Sequence, residues 1–245
     1  MKINVKVAPT KAEWVQLAVD TILDQAKQAI SERGIFSLVL SGGSTPAPVY
    51  TALAQLGTEE QFNWHKFAIF WGDERCVPPT HPDSNFRMAK ENLLDHLPVL
   101  PENIFRMMGE LDPKTAAKDY EGILGAFFHQ REKRFDTVLL GLGDDGHTAS
   151  LFPGTDGLHE TQRWVIPNRH PYTDTWRITL TYPAINHARN ILFLVSGAAK
   201  AKVAANCLLH PQEPPDYPAK KVTGTDSQPL WLLDADAAHF INNSN

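Results

Sequence analysis

Apolar and polar positions along this chain fall into two alternating rhythms, one of period two and one of period 3.6, and their order predicts strands and helices in succession. INVKV (3–7) alternates as a strand does. Thr10 followed by Glu13 makes a T-x-x-E capping box ahead of Trp14, Leu17, Ala18 and Ile22, which share one helical face. That helix is expected to end at Gly34. IFSLVL (35–40) reads as a short buried strand and SGGSTPAP (41–48) as a loop in which Pro46 can occupy a first helical turn. VYTALAQL (49–56) follows as an amphipathic helix, completing a βαβ opening.

The pattern then repeats. FAIFW (67–71) predicts a strand, GDERCVPPTHPDSN (72–85) a long polar loop, and the next stretch a helix to about Leu97. NIFRM (103–107) predicts a strand and residues 113–133 a helix. FDTVLLGLG (135–143), RITLTYPAI (177–185) and ILFLVSG (191–197) predict strands. AAKAKVAANCLL (198–209) predicts a helix, the proline-rich HPQEPPDYP (210–218) a surface loop, and VTGTDSQPLWLLD (222–234) a closing loop and strand. Continuous apolar strands alternating with amphipathic helices imply the α/β class, a mostly parallel Rossmann-like sheet with helices on both faces. With 245 residues and 42% hydrophobic content, the expectation is one domain over residues 1–245. In such sheets ligands bind where the carboxyl ends of strands give way to loops. SGGST, GDERCVP and GLGDDGHTASLFPG all follow strands, so they are expected to converge on one crevice.

Composition narrows the partners. The formal net charge is −5, and the basic pairs Lys133-Arg134 and Lys220-Lys221 are too short to make a nucleic-acid or anionic-membrane footprint. No apolar run approaches the roughly 18 residues of a membrane span, and MKINVKVAPTKAEW lacks the order of a secretory signal, so a cytoplasmic location is expected. Cys76 and Cys207 show no C-x-x-C spacing, which points to a reduced compartment and excludes a multi-thiolate zinc site.

The candidate chemistry sits in the loops. GLGDDG satisfies G-x-G-x-x-G, yet Asp144 and Asp145 occupy its variable positions, where they would repel a diphosphate, and the match lies past the chain's midpoint. SGGSTP is the better anion cradle: Gly42, Gly43, Ser44 and Thr45 join permissive backbone to hydroxyl donors before a helix whose dipole favours negative charge. Without a P-loop pattern it suits a single sugar phosphate, and an ordinary capped turn is the plainer alternative. GDERCVP by itself reads most plainly as a solvated loop; if it reaches the crevice, Arg75 can grip a phosphate and Asp73 can accept a proton or a sugar hydroxyl, while Lys200, equally readable as a solvated helix lysine, is placed to add a point charge to the same phosphate. His147 stands among glycines and acids, with Asp145 two residues away to bind one ring nitrogen and leave the other to act on water; Asp144 stays open as its partner. The chain has neither a second histidine at helical spacing nor a nearby thiolate, so no metal is expected; it also lacks a G-x-S-x-G elbow. Water is the simplest nucleophile.

Taken together, LVLSGGSTPAPVY, FWGDERCVPPTHPDSNFRMAKENLL, FDTVLLGLGDDGHTASLFPGT, RITLTYPAINHARN and FLVSGAAKAKV closely resemble the 6-phosphogluconolactonases, in order, from about residue 35 to 205. The resemblance implies hydrolysis of 6-phospho-D-glucono-1,5-lactone to 6-phosphogluconate in the oxidative pentose phosphate pathway, without metal or organic cofactor. It also implies the fold of glucosamine-6-phosphate deaminases and ribose-5-phosphate isomerases. Deaminases are the natural rival. They continue the Asp-Gly-His triplet with a run ending in glutamate, where this chain has Phe152, and typically carry tyrosine where it has Arg75. Both departures favour the lactonase. A regulator of the same fold would need a helix-turn-helix extension, and a non-catalytic sugar-phosphate sensor is the alternative of a different class. A small sugar-phosphate lactone is the expected partner, and a homo-oligomer stays open.

Overall fold

The computed structural model describes residues 4–56 and 62–242. Among them the strands are β1 (Val5–Ala8), β2 (Phe36–Leu40), β3 (Phe67–Trp71), β4 (Asp73–Arg75), β5 (Thr137–Leu140), β6 (Val165–Arg169), β7 (Trp176–Leu180), β8 (Asn190–Val195) and β9 (Leu230–Asp234). The α-helices are α1 (Lys11–Arg33), α2 (Ala47–Gln55), α3 (Asn85–Asn92), α4 (Pro113–Phe127), α5 (Tyr182–Asn186), α6 (Ala201–Leu209) and α7 (His239–Asn242). Ile3, the first residue of the predicted opening strand, lies outside the described residues.

Six strands form a parallel sheet in the order β1-β9-β8-β5-β2-β3. All five residues of β2 and of β3 are buried, as a sheet covered on both faces requires. A three-stranded antiparallel sheet, β4-β7-β6, stands beside it. The chain turns back on itself at the β5-β2 neighbourhood, where an open α/β sheet opens a crevice beyond its strand ends.

Local chemistry sets the element ends. Thr10 Oγ1 caps α1 by accepting the Glu13 N–H at 3.2 Å, the expected first half of the capping box, while the Glu13 carboxylate accepts the Thr10 hydroxyl at 2.7 Å. Gly34 closes α1 in the left-handed region, φ 78°, with its N–H on the Ile30 carbonyl. Trp14 is fully buried and its indole N–H donates to the Leu232 carbonyl, which ties α1 to β9.

Four expectations are corrected. NIFRM is no strand: it makes a single bridge to β3, Ile104 with Ile69, where the Phe105 N–H donates to the Ile69 carbonyl at 2.8 Å and the Phe105 ring stacks on Phe70 at 4.7 Å. The helix predicted to reach residue 133 stops at Phe127, because Phe128 turns into an aromatic cluster with Phe135 and Trp164 while Arg131 caps the Phe127 carbonyl. RITLTYPAI breaks after Leu180, where Thr181 precedes α5 and Pro183 sits in its first turn. Finally, the polar DER segment pairs with β7 instead of looping, and VIPNR, unremarkable by pattern, becomes β6, an edge strand where Pro167 is tolerated.

Candidate active site

Four loops leave the carboxyl ends of four neighbouring strands, β8, β5, β2 and β3, and meet over one crevice of about 300 Å³. Of the residues singled out in the sequence, Gly42, Gly43, Ser44, Thr45, Asp73, Arg75, His147 and Lys200 all line it, and Asp145 supports it from behind His147.

The loop after β5 is built to hold one ring. Gly143 N–H donates to the His147 carbonyl at 2.9 Å, Gly146 N–H to the Gly143 carbonyl at 3.0 Å, and Thr148 Oγ1 to the Gly141 carbonyl at 2.9 Å. His147 Nδ1 lies 2.6 Å from Asp145 Oδ1, which also accepts the His147 backbone N–H at 3.1 Å. Burial pushes the Asp145 carboxyl up, but these hydrogen bonds outweigh it and hold the group below the usual carboxylate range. Asp145 is thus the aspartate in contact with the His147 ring, and Asp144 instead pairs with Lys200 at 2.5 Å. A side chain on Gly143 would begin 2.0 Å from His147 Nδ1, so the imidazole packs where only glycine leaves room. The same bonds consume the Gly143 and Gly146 N–H groups, which therefore do not serve as oxyanion donors.

The loop after β2 has tight, glycine-shaped backbone at the crevice. Gly43 takes φ 84°, and Gly42 presses so closely on Asn85 that a Cβ would sit 2.0 Å from its Oδ1. Pro46 caps α2 without a side-chain hydrogen bond. The α2 dipole therefore adds to the loop's attraction for an anion.

The short strand β4, directly after β3, carries the charged triplet. Asp73, 8% exposed, accepts Ser150 Oγ at 2.6 Å and Asn85 Nδ2 at 3.3 Å. Glu74, 2% exposed, accepts the N–H groups of Arg75, Asn85 and Phe86 and the Ser84 hydroxyl, pinning the start of α3 to β4. Burial raises its pKa against those bonds. Arg75 stands directly opposite Arg177 in the β4-β7 register. Both donate to neutral oxygens, Arg75 to the Asp83 carbonyl at 2.8 Å and Arg177 to Thr175 Oγ1 at 2.7 Å and the Trp176 carbonyl. Burial, then the charge of Arg75, lowers the Arg177 pKa. Like charges placed opposite each other disfavour the pairing, a cost that a bound anion offsets.

Sequence reasoning missed Arg177, Asn85, Ser150 and His170, all of which line the crevice. RITLT reads as a buried strand and gives no reason to notice its arginine; Asn85 and Ser150 are ordinary polar residues until folding brings both to Asp73. Neither cysteine competes as a nucleophile, since burial pushes the Cys76 thiol to about 11 and Cys207 to about 12. Among the described residues no cluster of three or more histidine, cysteine, aspartate or glutamate side chains could hold a metal ion, and no helix is long and apolar enough to cross a membrane.

Comparison with known proteins matches residues 9–231 to the family described as glucosamine-6-phosphate isomerases/6-phosphogluconolactonase. A 6-phosphogluconolactonase of Nostoc sp. is 39% identical over 241 residues, covering 97% of this chain and 98% of the relative. The crystal structure of a 6-phosphogluconolactonase from Thermotoga maritima superposes with a TM-score of 0.82 at 28% identity, covering 95% of this chain and 100% of that one. A monomeric glucosamine-6-phosphate deaminase reaches a TM-score of 0.79 at 22% identity over 97% of this chain and 99% of its own, a likeness of fold alone.

Proposed function

Because the chain belongs to the family of glucosamine-6-phosphate isomerases and 6-phosphogluconolactonases, we infer that it is the lactonase of that pair, hydrolysing 6-phospho-D-glucono-1,5-lactone to 6-phospho-D-gluconate in the oxidative pentose phosphate pathway. Two 6-phosphogluconolactonases, each 39% identical, cover 97% of this chain. Phe152, buried at 2% exposure, occupies the position from which a ring-opening glutamate would act in a deaminase.

The observation that carries the reading is the Asp145-His147 pair at a crevice lined by Gly42, Gly43, Ser44, Thr45, Arg75 and Lys200. The 6-phosphate sits against the Gly42–Thr45 backbone, with Arg75 and Lys200 as countercharges, which fixes the lactone's C1 near His147. Asp145 holds the ring with its proton on Nδ1, so Nε2 presents a lone pair. That nitrogen takes a proton from water as the oxygen adds to the C1 carbonyl. The tetrahedral intermediate then collapses, the bond from C1 to the ring oxygen breaks, and the imidazolium returns its proton to that oxygen. The carboxylic acid formed ionises and releases one proton to solvent. Asp73, fixed by Ser150 and Asn85, binds sugar hydroxyls. The cytoplasm suits both this substrate and the two free thiols.

Proton release on adding freshly generated lactone, corrected for spontaneous hydrolysis, tests the assignment. His147→Ala is expected to lower kcat by about 10²- to 10⁴-fold with substrate binding retained, and glucosamine 6-phosphate to yield no ammonia. Wild-type kcat in that variant refutes the general base. Arg75→Ala is expected chiefly to raise KM, and an unchanged KM removes it from the phosphate clamp.

A further inference from the structure

A second histidine faces the same crevice. His170 ends the β6-β7 hairpin arm just beyond Arg169, with its N–H on the Thr175 carbonyl at 2.9 Å and its carbonyl accepting the Asp174 N–H at 3.0 Å. Phe152 makes ring contacts with both imidazoles, at 4.9 Å from His147 and 4.4 Å from His170 between centroids.

The two rings are held in opposite ways. His147 Nδ1 faces a carboxylate, whereas His170 Nδ1 accepts the backbone N–H groups of Tyr172 and Thr173, each at 3.2 Å. A ring nitrogen that accepts two N–H bonds carries no proton, so the proton of the neutral His170 ring sits on Nε2. The surroundings favour the neutral form of the ring. Burial lowers its pKa, the charges of Arg177, His147 and Arg75 lower it further, and Asp145 alone opposes them. One crevice thus holds a ring whose outer nitrogen accepts and a ring whose outer nitrogen donates. The reaction requires both. Water needs a proton acceptor, and the carbonyl oxygen needs a preorganised donor that the committed Gly143 and Gly146 N–H groups do not supply.

We propose that His170 is a catalytic residue, its Nε2–H donating a hydrogen bond to the C1 carbonyl oxygen of the lactone as negative charge develops there. The proposal rests on the lactonase reading of His147. As a neutral donor held by its own hairpin, His170 adds stabilisation to the transition state without gaining or losing a proton. Its removal therefore acts on kcat and leaves the shape of the pH profile unchanged.

The test compares His170→Phe and His170→Gln with His147→Ala and wild type, using phosphogluconolactone and steady-state kinetics across pH. His170→Phe is expected to lower kcat by about 10²-fold, at the lower end of the range for one lost oxyanion donor, with KM within about threefold. His170→Gln, whose amide can donate, is expected to recover most of that loss. Wild-type kcat in His170→Phe overturns the proposal, as does an equal loss in both variants, which would indicate packing. If His147→Ala itself keeps wild-type turnover, the lactonase reading has failed; if His147→Ala is inactive and His170→Phe fully active, only this inference falls. Independently of any variant, nitrogen-15 NMR of the intact protein at neutral pH is expected to show His170 protonated on Nε2 alone. An Nδ1–H ring or an imidazolium overturns the assignment.

Discussion

Gly143 illustrates how a residue without a side chain controls the placement of one with a ring. With a Cβ only 2.0 Å from His147 Nδ1, Gly143→Ala must push the imidazole off Asp145. Misplacement of about 1 Å costs on the order of 10²-fold in rate, so kcat should fall by roughly that factor while phosphate affinity persists. Steady-state kinetics check it, and an unchanged kcat contradicts it. Asp145 carries a prediction in pH. Its folded-state pKa is lowered, so its bonds to His147 contribute stability that is fully present above the usual carboxylate range and lost as pH falls through the lowered value. The Tm of wild type should therefore exceed that of Asp145→Asn near neutrality, and the gap should close in acid. Thermal melts across pH would show it, and a gap that widens in acid would be the wrong sign. Ala149 marks the limit of sequence reading at this scale. Its φ of 48° is strained for a residue with a Cβ, and neighbouring bonds from Thr148 Oγ1 and the Ser150 N–H hold it there.

At the level of elements, the turn after β8 depends on a strand beside it. Asp234, at the end of β9 and 4% exposed, accepts Ser196 Oγ at 2.6 Å, the Gly197 N–H at 3.0 Å and the Ala237 N–H at 2.8 Å. Gly197 at φ 95° then leads into the 3₁₀ turn Ala198–Lys200, which places Lys200 on the crevice. Asp234→Asn should loosen that turn by about 1 kcal/mol and raise KM roughly fivefold with kcat near wild type. Its effect should vanish in a Lys200→Ala background, and additive losses would separate the two residues. The alternation of apolar strands and amphipathic helices was legible here because every central strand is buried on both faces. The small sheet was not legible. β4 is written entirely in charged residues whose burial is tolerated only because Ser150, Asn85 and the start of α3 satisfy them.

For the molecule as a whole, the crevice is walled by loops of the six-stranded sheet on one side and by Arg177 and His170 of the small sheet on the other. A phosphorylated ligand bridging them binds only the folded chain. At 100 times its Kd, 6-phosphogluconate should add about 2.7 kcal/mol to stability, whereas gluconate at the same concentration should add little. Thermal shift measurements distinguish the two, and equal shifts would remove the phosphate from the interaction. Arg75→Ala should shrink the phosphate-dependent part. It also relieves the like-charge contact with Arg177, so the unliganded variant should be no less stable than wild type.

The sequence by itself determined the α/β class, the loops that meet at the site and most of the residues they bring, because hydrophobic period, capping and glycine placement are local properties of the chain. Tertiary structure alone decided that Asp145 and not Asp144 contacts the His147 ring, that Arg177 and His170 line the crevice, and that Glu74 is a buried anchor. These depend on which groups stand opposite each other across strands and loops far apart in the chain, and the register and burial that set those distances exist only once the sheets have formed.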